Sequence, residues 1–172
     1  SIYSQQIIRQ YIEKRLITEN NCDDWIILQD QYGAFAIKHI PKYTCLGSYH
    51  GDEYILKEFE SQYPFNKYHK KWNYTVEIVY DLEALKGLNI RENVIVVING
   101  YYQTSSEFEQ NSQIFINDAR NLISELDLTP QDLQRKNIEF VYCSLDGIIV
   151  PFIISSSDIK IDQQLFAYYG LQ

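Results

Sequence analysis

Residues 138–154 read Ile-Glu-Phe-Val-Tyr-Cys-Ser-Leu-Asp-Gly-Ile-Ile-Val-Pro-Phe-Ile-Ile, two runs rich in β-branched and aromatic residues on either side of Asp146-Gly147. Asp-Gly between such runs is the sharpest short-range signal for a β-hairpin, because both central residues of a type I′ turn need a positive φ. The second run is also the longest apolar stretch in the chain. It is strand-sized, far short of the roughly 20 apolar residues that a membrane-spanning helix requires.

Working outward, residues 93–98 are nearly all Val and Ile and predict a buried strand. Residues 74–79 alternate and predict another. Short strands are expected over 25–28, 34–37 and 44–49, separated by turns at 29–33 and 39–42. Residues 4–16 predict a helix, with Ser4 as its cap and Ile7, Ile8, Tyr11, Ile12 and Leu16 on one face. Residues 54–72 are polar and aromatic and read as helix plus loop. Thr129-Pro130-Gln131-Asp132 has the form of a helix start, with Pro at the first helical position. Many short strands and few helices make this an α+β, β-dominated chain. The expected organisation is an N-terminal helix within 1–20 flanking a single domain over 21–172, with an inserted helical and loop segment around 54–73.

At 172 residues the chain buries roughly 70% of its unfolded surface and needs no staple. Cys22, Cys45 and Cys143 are isolated, with no C-x-x-C, which argues against a disulfide framework or structural zinc and for a reducing compartment. No methionine occurs, even at position 1, so the sequence is expected to be an excised or tagged fragment with flanking domains elsewhere. A net charge of -8 argues against a direct nucleic-acid binder, which normally shows a basic face, and suits solubility or a Lys-rich partner. Neither G-x-G-x-x-G nor a phosphate-binding G-x-x-x-x-G-K-[ST] is present, which argues against the usual ATP and NAD enzymes. No cleavable signal pattern or membrane span is legible.

Three ordered segments carry a resemblance. Tyr32-Gly33-Ala34-Phe35-Ala36, then Ile40-Pro41-Lys42 and Tyr49-His50-Gly51-Asp52, are similar to a G-x-G-(V/L)-(F/R)-A … I-P-K-G … Y-x-G-E pattern. Residues 94–100, then Ile114-Phe115-Ile116-Asn117-Asp118, are similar to a strand leading into R-F-I-N-H. Asp146-Gly147, Pro151, Asp158-Ile159 and Leu165-Phe166-Ala167-Tyr168-Tyr169-Gly170 are similar to a closing D-G … D-I … G-E-E-L-T-x-D-Y-G. In this order they span nearly all of residues 25–170 and resemble the SET domain family, the S-adenosylmethionine-dependent protein lysine methyltransferases. The resemblance implies a β-clip-like arrangement of short strands with a few helices.

It also implies a site. S-adenosylmethionine would meet Gly33, Phe35, Tyr49, Asn117 and Asp118; Tyr169 would be the catalytic tyrosine; Ala167 and Tyr168 would line the substrate channel. The family's chemistry asks for a deprotonated lysine amine, an aligned methylsulfonium and a channel that excludes water, and alignment alone supplies on the order of 7–11 kcal/mol of such a barrier. Tyr169 would orient the amine through its hydroxyl. Gly33 reads either as close backbone approach to a cofactor or as an ordinary turn glycine.

The departures bear on function. The first glycine of the pattern is Gln31, the motif histidine is Asp118, and the following cysteine is Arg120. Phe115, Ala119, Leu122 and Leu126 fall at helical spacing, so an amphipathic helix competes with the family's knot-like turn there. Asp52 stands for Glu, and Ala167, where the family carries Phe, Tyr or Val, would widen the channel floor. The family's Cys-rich segment after the domain is not found before Gln172, which implies either a shortened fragment or a site closed differently. His39, His50 and His69 lack metal-ligand spacing, so no metal is expected, and residues 67–71 are too short a basic run to read as a tail.

The expectation is thus a soluble methyltransferase acting on an accessible lysine of a histone or other basic protein, without nucleic-acid or membrane binding. The alternative is a catalytically degenerate SET-like interaction module. An intracellular location, cytoplasmic or nuclear, is expected; the Ile-, Asn- and Gln-rich composition, with its hint of an AT-rich genome, also fits a secreted effector acting inside a host cell.

Overall fold

The computed structural model describes residues 7–22, 26, 28–72, 74–80, 93–101, 115–118 and 134–168. It is strand-dominated, as the β-rich α+β reading expects, and the strands of the described residues divide among four small sheets.

The hairpin at the centre of the sequence forms as read. Strands β8 (Ile138–Leu145) and β9 (Ile148–Ser155) pair antiparallel from Ile138↔Ser155 to Leu145↔Ile148. Asp146 and Gly147 take φ of 51° and 82°, the left-handed pair that a type I′ turn demands. Strand β3 (Cys45–Ser48) adds to the other edge of β9. A second sheet has β6 (Val94–Asn99) between β4 (Asp52–Ile55) and β5 (Thr75–Tyr80), all antiparallel. Its central strand buries Val97, Ile98 and Asn99, while Val94, Ile95 and Val96 are half-buried. The sheets are joined by Tyr80, whose hydroxyl accepts from Ile149 N at 2.9 Å, and by Tyr49, whose hydroxyl donates to the Tyr74 carbonyl at 2.9 Å. Helices α1 (Leu56–Gln62) and α2 (Phe65–Trp72) follow β4 in the stretch read as helix plus loop; Tyr54 itself belongs to the strand.

The N-terminal helix expected over 4–16 does not extend to residue 16; residues 4–6 lie outside the described residues. Ile7 and Ile8 are helical, residues 9–11 turn, and Ile12–Leu16 is strand β1, antiparallel to β2 (Tyr32–Ala36) from Ile12↔Ala36 to Leu16↔Tyr32. Of the five residues assigned to an apolar helix face, Ile8 and Ile12 are buried, whereas Leu16 is largely exposed. Local helical spacing lost to the backbone hydrogen bonds that β2 offers, a tertiary override of a weak local preference. Likewise Ile26 and Leu28 lie in turns rather than in a strand; Trp25 and Ile27 fall outside the described residues, as does the helix start at 129–132. The turn before β2 is made at Asp30, with φ of 63°, so Gly33 sits inside the strand instead of at a turn.

Two segments cross at the middle of the molecule. Ile40 and Ile159 exchange reciprocal backbone hydrogen bonds, both 2.9 Å, and each is followed three residues later by a left-handed residue, Tyr43 (φ 68°) and Asp162 (φ 64°). The continuous core runs past this crossing and gathers Ile12, Leu46, Ile138, Ile153, Ile159 and Leu165, all essentially inaccessible. Among the described residues no helix is long and apolar enough to cross a membrane.

Candidate functional site

The segment leading to Tyr169 is held from three directions. On one side it runs against β2: Asp162 N and Leu165 N donate to the carbonyls of Ala36 and Ala34 at 2.8 Å, and Ala36 N donates back to Gln163 O at 3.0 Å. On another it continues as β10 (Phe166–Ala167), which pairs in parallel with β7 (Asn117–Asp118), Phe166 opposite Asn117 and Ala167 opposite Asp118. The third restraint is Asn137, only 2% exposed. Its side chain donates to Gln164 O and accepts from Phe166 N, both at 2.9 Å, and its own N–H donates to Phe166 O at 3.1 Å. Those bonds satisfy backbone groups that a two-residue strand leaves open.

The helix considered for 115–126 does not pass through the motif, because Asn117 and Asp118 are extended and strand-paired. Residues 119 and 120 are outside the described residues.

The proposed cofactor residues divide. Asn117 and Asp118 lie one strand from Ala167, and Tyr168, half-buried, follows directly. Tyr169 is outside the described residues. Ala167 is fully buried. Gly33 and Phe35 are buried in β2, and a Cβ at Gly33 would lie 2.6 Å from Gln164 Nε2 and 3.0 Å from Gln164 Cδ. The space opened by this glycine is therefore filled by the Gln164 side chain. Both polar atoms of that amide are buried without a hydrogen-bond partner among the described residues, at a cost of about 1–3 kcal/mol. Phe35 carries the Arg15 guanidinium over its ring at 5.5 Å, and Arg15 in turn pairs with Asp162 at 2.6 Å, tying β1 to the closing segment. Tyr49 is buried, edge-on to Phe140 at 5.8 Å, with its hydroxyl bonded to Tyr74 as above. Beyond β7, the Tyr32 and Phe115 rings meet edge-on at 6.2 Å, and Lys14 Nζ stands 4.3 Å and 5.1 Å from their centroids.

Sequence reading missed Asn137 and Gln164. Asn137 carries no signal beyond a polar residue ahead of a strand, and Gln164 is one of two adjacent glutamines. Among the described residues no three His, Cys, Asp or Glu side chains are grouped to hold a metal ion.

His50, next to Tyr49, titrates differently from a histidine in solution. Burial lowers its pKa, partly opposed by the Nδ1 contact to Ser48 O at 3.1 Å. The unfolded chain then binds the proton more readily than the native one, so this residue's contribution is complete above the ordinary histidine pKa and is lost as pH falls through the lower native value. Urea midpoints for wild type and His50→Gln are expected to diverge between pH 7 and 5, with the wild type losing more stability; parallel curves would remove His50 from the acid sensitivity.

The sequence matches no protein-family profile and no curated protein. Solved structures do match. ATXR5 in complex with mono-methylated histone H3.1 aligns over 81% of this chain and 52% of its own, at 18% identity and a TM-score of 0.55. The ATXR5 SET domain with di-methylated histone H3 gives the same values, 18% identity and 0.55. The Neurospora SET domain protein DIM-5, a histone lysine methyltransferase, aligns over 84% of this chain and 50% of its own, at 14% identity and a TM-score of 0.56. At such identities the likeness shows the fold, which is SET-like. The chain spans about half the length of these structures.

Proposed function

We propose that this chain is a protein lysine methyltransferase using S-adenosylmethionine. The observation that supports it most is the parallel pairing of β7 with β10, which brings the Asn117-Asp118 motif beside Phe166-Ala167, two residues before Tyr169. Chemically distinct parts of the resemblance thereby meet at one place. Near the motif, the Lys14 ammonium, held over the Tyr32 and Phe115 rings, suits the carboxylate of such a cofactor. When bound, the cofactor supplies the electrophilic methyl group. The protein's part is placement: Asn117 and Asp118 hold the ligand, Tyr169 orients the lysine amine, and Ala167 and Tyr168 shape the channel. Histone H3 occupies both ATXR5 structures, and a net charge of -8 suits a basic, lysine-bearing peptide of that kind. An intracellular site of action, the chain's own cell or a host's, follows from such a substrate.

A specific observation favours the second reading, an interaction module without turnover: Gln164 fills the space at Gly33, and the Tyr49 hydroxyl is committed to Tyr74. The two readings part on cofactor binding. S-adenosylmethionine at 100 times its dissociation constant is expected to stabilise the native state by about 2.7 kcal/mol, read as a thermal shift. Radiolabelled methyl transfer to a mixture of Lys-containing proteins is expected for wild type and to fall about a hundredfold in Tyr169→Phe, with cofactor binding kept, because a hydroxyl that aligns the amine is gone. Wild-type protein that neither binds nor labels would leave the interaction module standing.

A further inference from the structure

Gly33 is a glycine whose backbone does not call for one. It sits in strand β2 opposite Arg15, and its φ lies outside the left-handed region, so an L side chain would meet no conformational penalty there. What keeps the position bare is the Gln164 amide. An added Cβ would stand 2.6 Å from Gln164 Nε2, 3.0 Å from its Cδ and 3.0 Å from Phe35 Cε2. The backbone of Gln164 is well held, since it bridges to Phe35 and its carbonyl accepts from Asn137. Its side chain is not: the residue is 5% exposed, yet Nε2 and Oε1 are buried and make no hydrogen bond. A plain hydrocarbon or thioether chain would fill the same space without orphaning a donor and an acceptor.

A second seat adjoins the first. Gln164 also lines an open cavity of about 400 Å³, whose wall includes Glu19, Asn20, Gln134, Arg135 and Phe166. A polar space of that size admits water, so an amide turned into it finds partners. The two seats carry opposite penalties. Against Gly33 the amide is packed but unpaired; in the cavity it is paired, but it leaves a void beside Gly33 and Phe35. A molecule that fills this void removes the second penalty, and it shifts the side chain toward the cavity by as much as it prefers the opened form. The backbone bonds at 164 are common to both arrangements, so only side-chain torsions differ.

We propose that the Gln164 side chain is a displaceable plug with two seats, one against Gly33 and one in the cavity lined by residues 19–22 and 134–135, and that S-adenosylmethionine binds the form with the plug withdrawn. The plug would then set how readily the cofactor gains the loop at Gly33. That role rests on the methyltransferase reading above; the two seats do not.

The first measurement needs no cofactor. Nuclear magnetic resonance follows the side-chain amide protons of Gln164, assigned by their loss in Gln164→Met. They are expected to exchange slowly with solvent in the wild type and fast in Gly33→Ala, whose new Cβ evicts the amide while the chain still unfolds cooperatively in urea. Gln164→Met, which fills the first seat without an orphaned amide, is expected to raise the urea midpoint. The second measurement is calorimetry with S-adenosylmethionine. Gln164→Ala has no plug and should bind about tenfold tighter than wild type if the withdrawn form is populated one time in ten. Gln164→Met, a plug with no polar group to draw it out, should bind more weakly than wild type. Slow exchange retained in Gly33→Ala, or a Gly33→Ala chain that folds only when Gln164→Ala is added, would show that the amide has no second seat and overturn the proposal. Equal cofactor affinity in wild type, Gln164→Ala and Gln164→Met would overturn it too. If none of the three binds the cofactor, the methyltransferase reading falls, and exchange in Gly33→Ala still decides whether the two seats exist.

Discussion

Gly51→Ala is expected to leave protein without a cooperative unfolding transition. A Cβ at this position would penetrate the backbone of β6, meeting the carbonyl of Asn99 and coming within 2.8 Å of Gly100 N. Neither neighbour can give way. Asn99 is paired with Asp52 and Thr75 across the sheet, and Gly100 N donates to Tyr74 O at 2.8 Å. Relief requires β4 to separate from β6, which forfeits a whole ladder. Overpacking against movable side chains costs about 1–3 kcal/mol, and an immovable backbone raises that toward the roughly 5–15 kcal/mol that holds a domain together. Gly147→Ala is the control. Among the described residues, its chain neighbours aside, no atom lies within 4 Å of the Cβ it would add, so the expected cost is that of an unfavourable φ of 82°, about 1–2 kcal/mol. Urea titrations followed by circular dichroism compare the two variants; a Gly51→Ala midpoint as high as that of Gly147→Ala would show that β4 and β6 do not meet as described.

Asn137→Ala is expected to be nearly as damaging, for a different reason. It leaves Gln164 O and Phe166 N buried with the side-chain partner gone. At about 1–3 kcal/mol for each abandoned group, the loss is roughly 2–6 kcal/mol. Asn137→Asp keeps an acceptor for Phe166 N but turns a second oxygen toward the Gln164 carbonyl, so restoring the shape should not restore stability. The loss should also be local first: amide exchange at Phe166 and Ala167 is expected to accelerate more than exchange in β8 and β9. A destabilisation under 1 kcal/mol, or uniform exchange, would mean that β2 and β7 hold the closing segment without Asn137.

What the sequence made legible was what it encodes locally. The β8–β9 hairpin depends on Asp146-Gly147 and the runs beside it, all within a few residues, and it formed in the expected register. The β-branched run before Asn99 became the central strand of its sheet for the same reason. Residues 12–16 misled because their apolar spacing suits a helix, while the partner that makes them a strand begins at Tyr32. Gly33 was legible as a glycine that matters, but the group needing its space, Gln164, comes from the far end of the chain. Asn137 was invisible for a related reason: its partners lie 27 and 29 residues away, and no periodic pattern reports a side chain that caps a two-residue strand. The second and third motifs do come together, since β7 pairs with β10.

The threefold restraint on the closing segment has a cost during synthesis. Ala34 and Ala36 on β2 receive their partners from residues 162–165, about 130 residues later, and at roughly 5–20 residues per second the ribosome takes some seconds to supply them. Throughout that interval the edge of β2 and the apolar side chains of the first fifty residues have no finished structure to enter. Completion of this edge therefore waits for residues 162–165, and a nascent chain stalled before residue 160 would present an open strand edge to its neighbours. This protein should depend on holding chaperones in proportion to how slowly it is translated, and truncations that remove the last dozen residues should aggregate instead of yielding a smaller folded core.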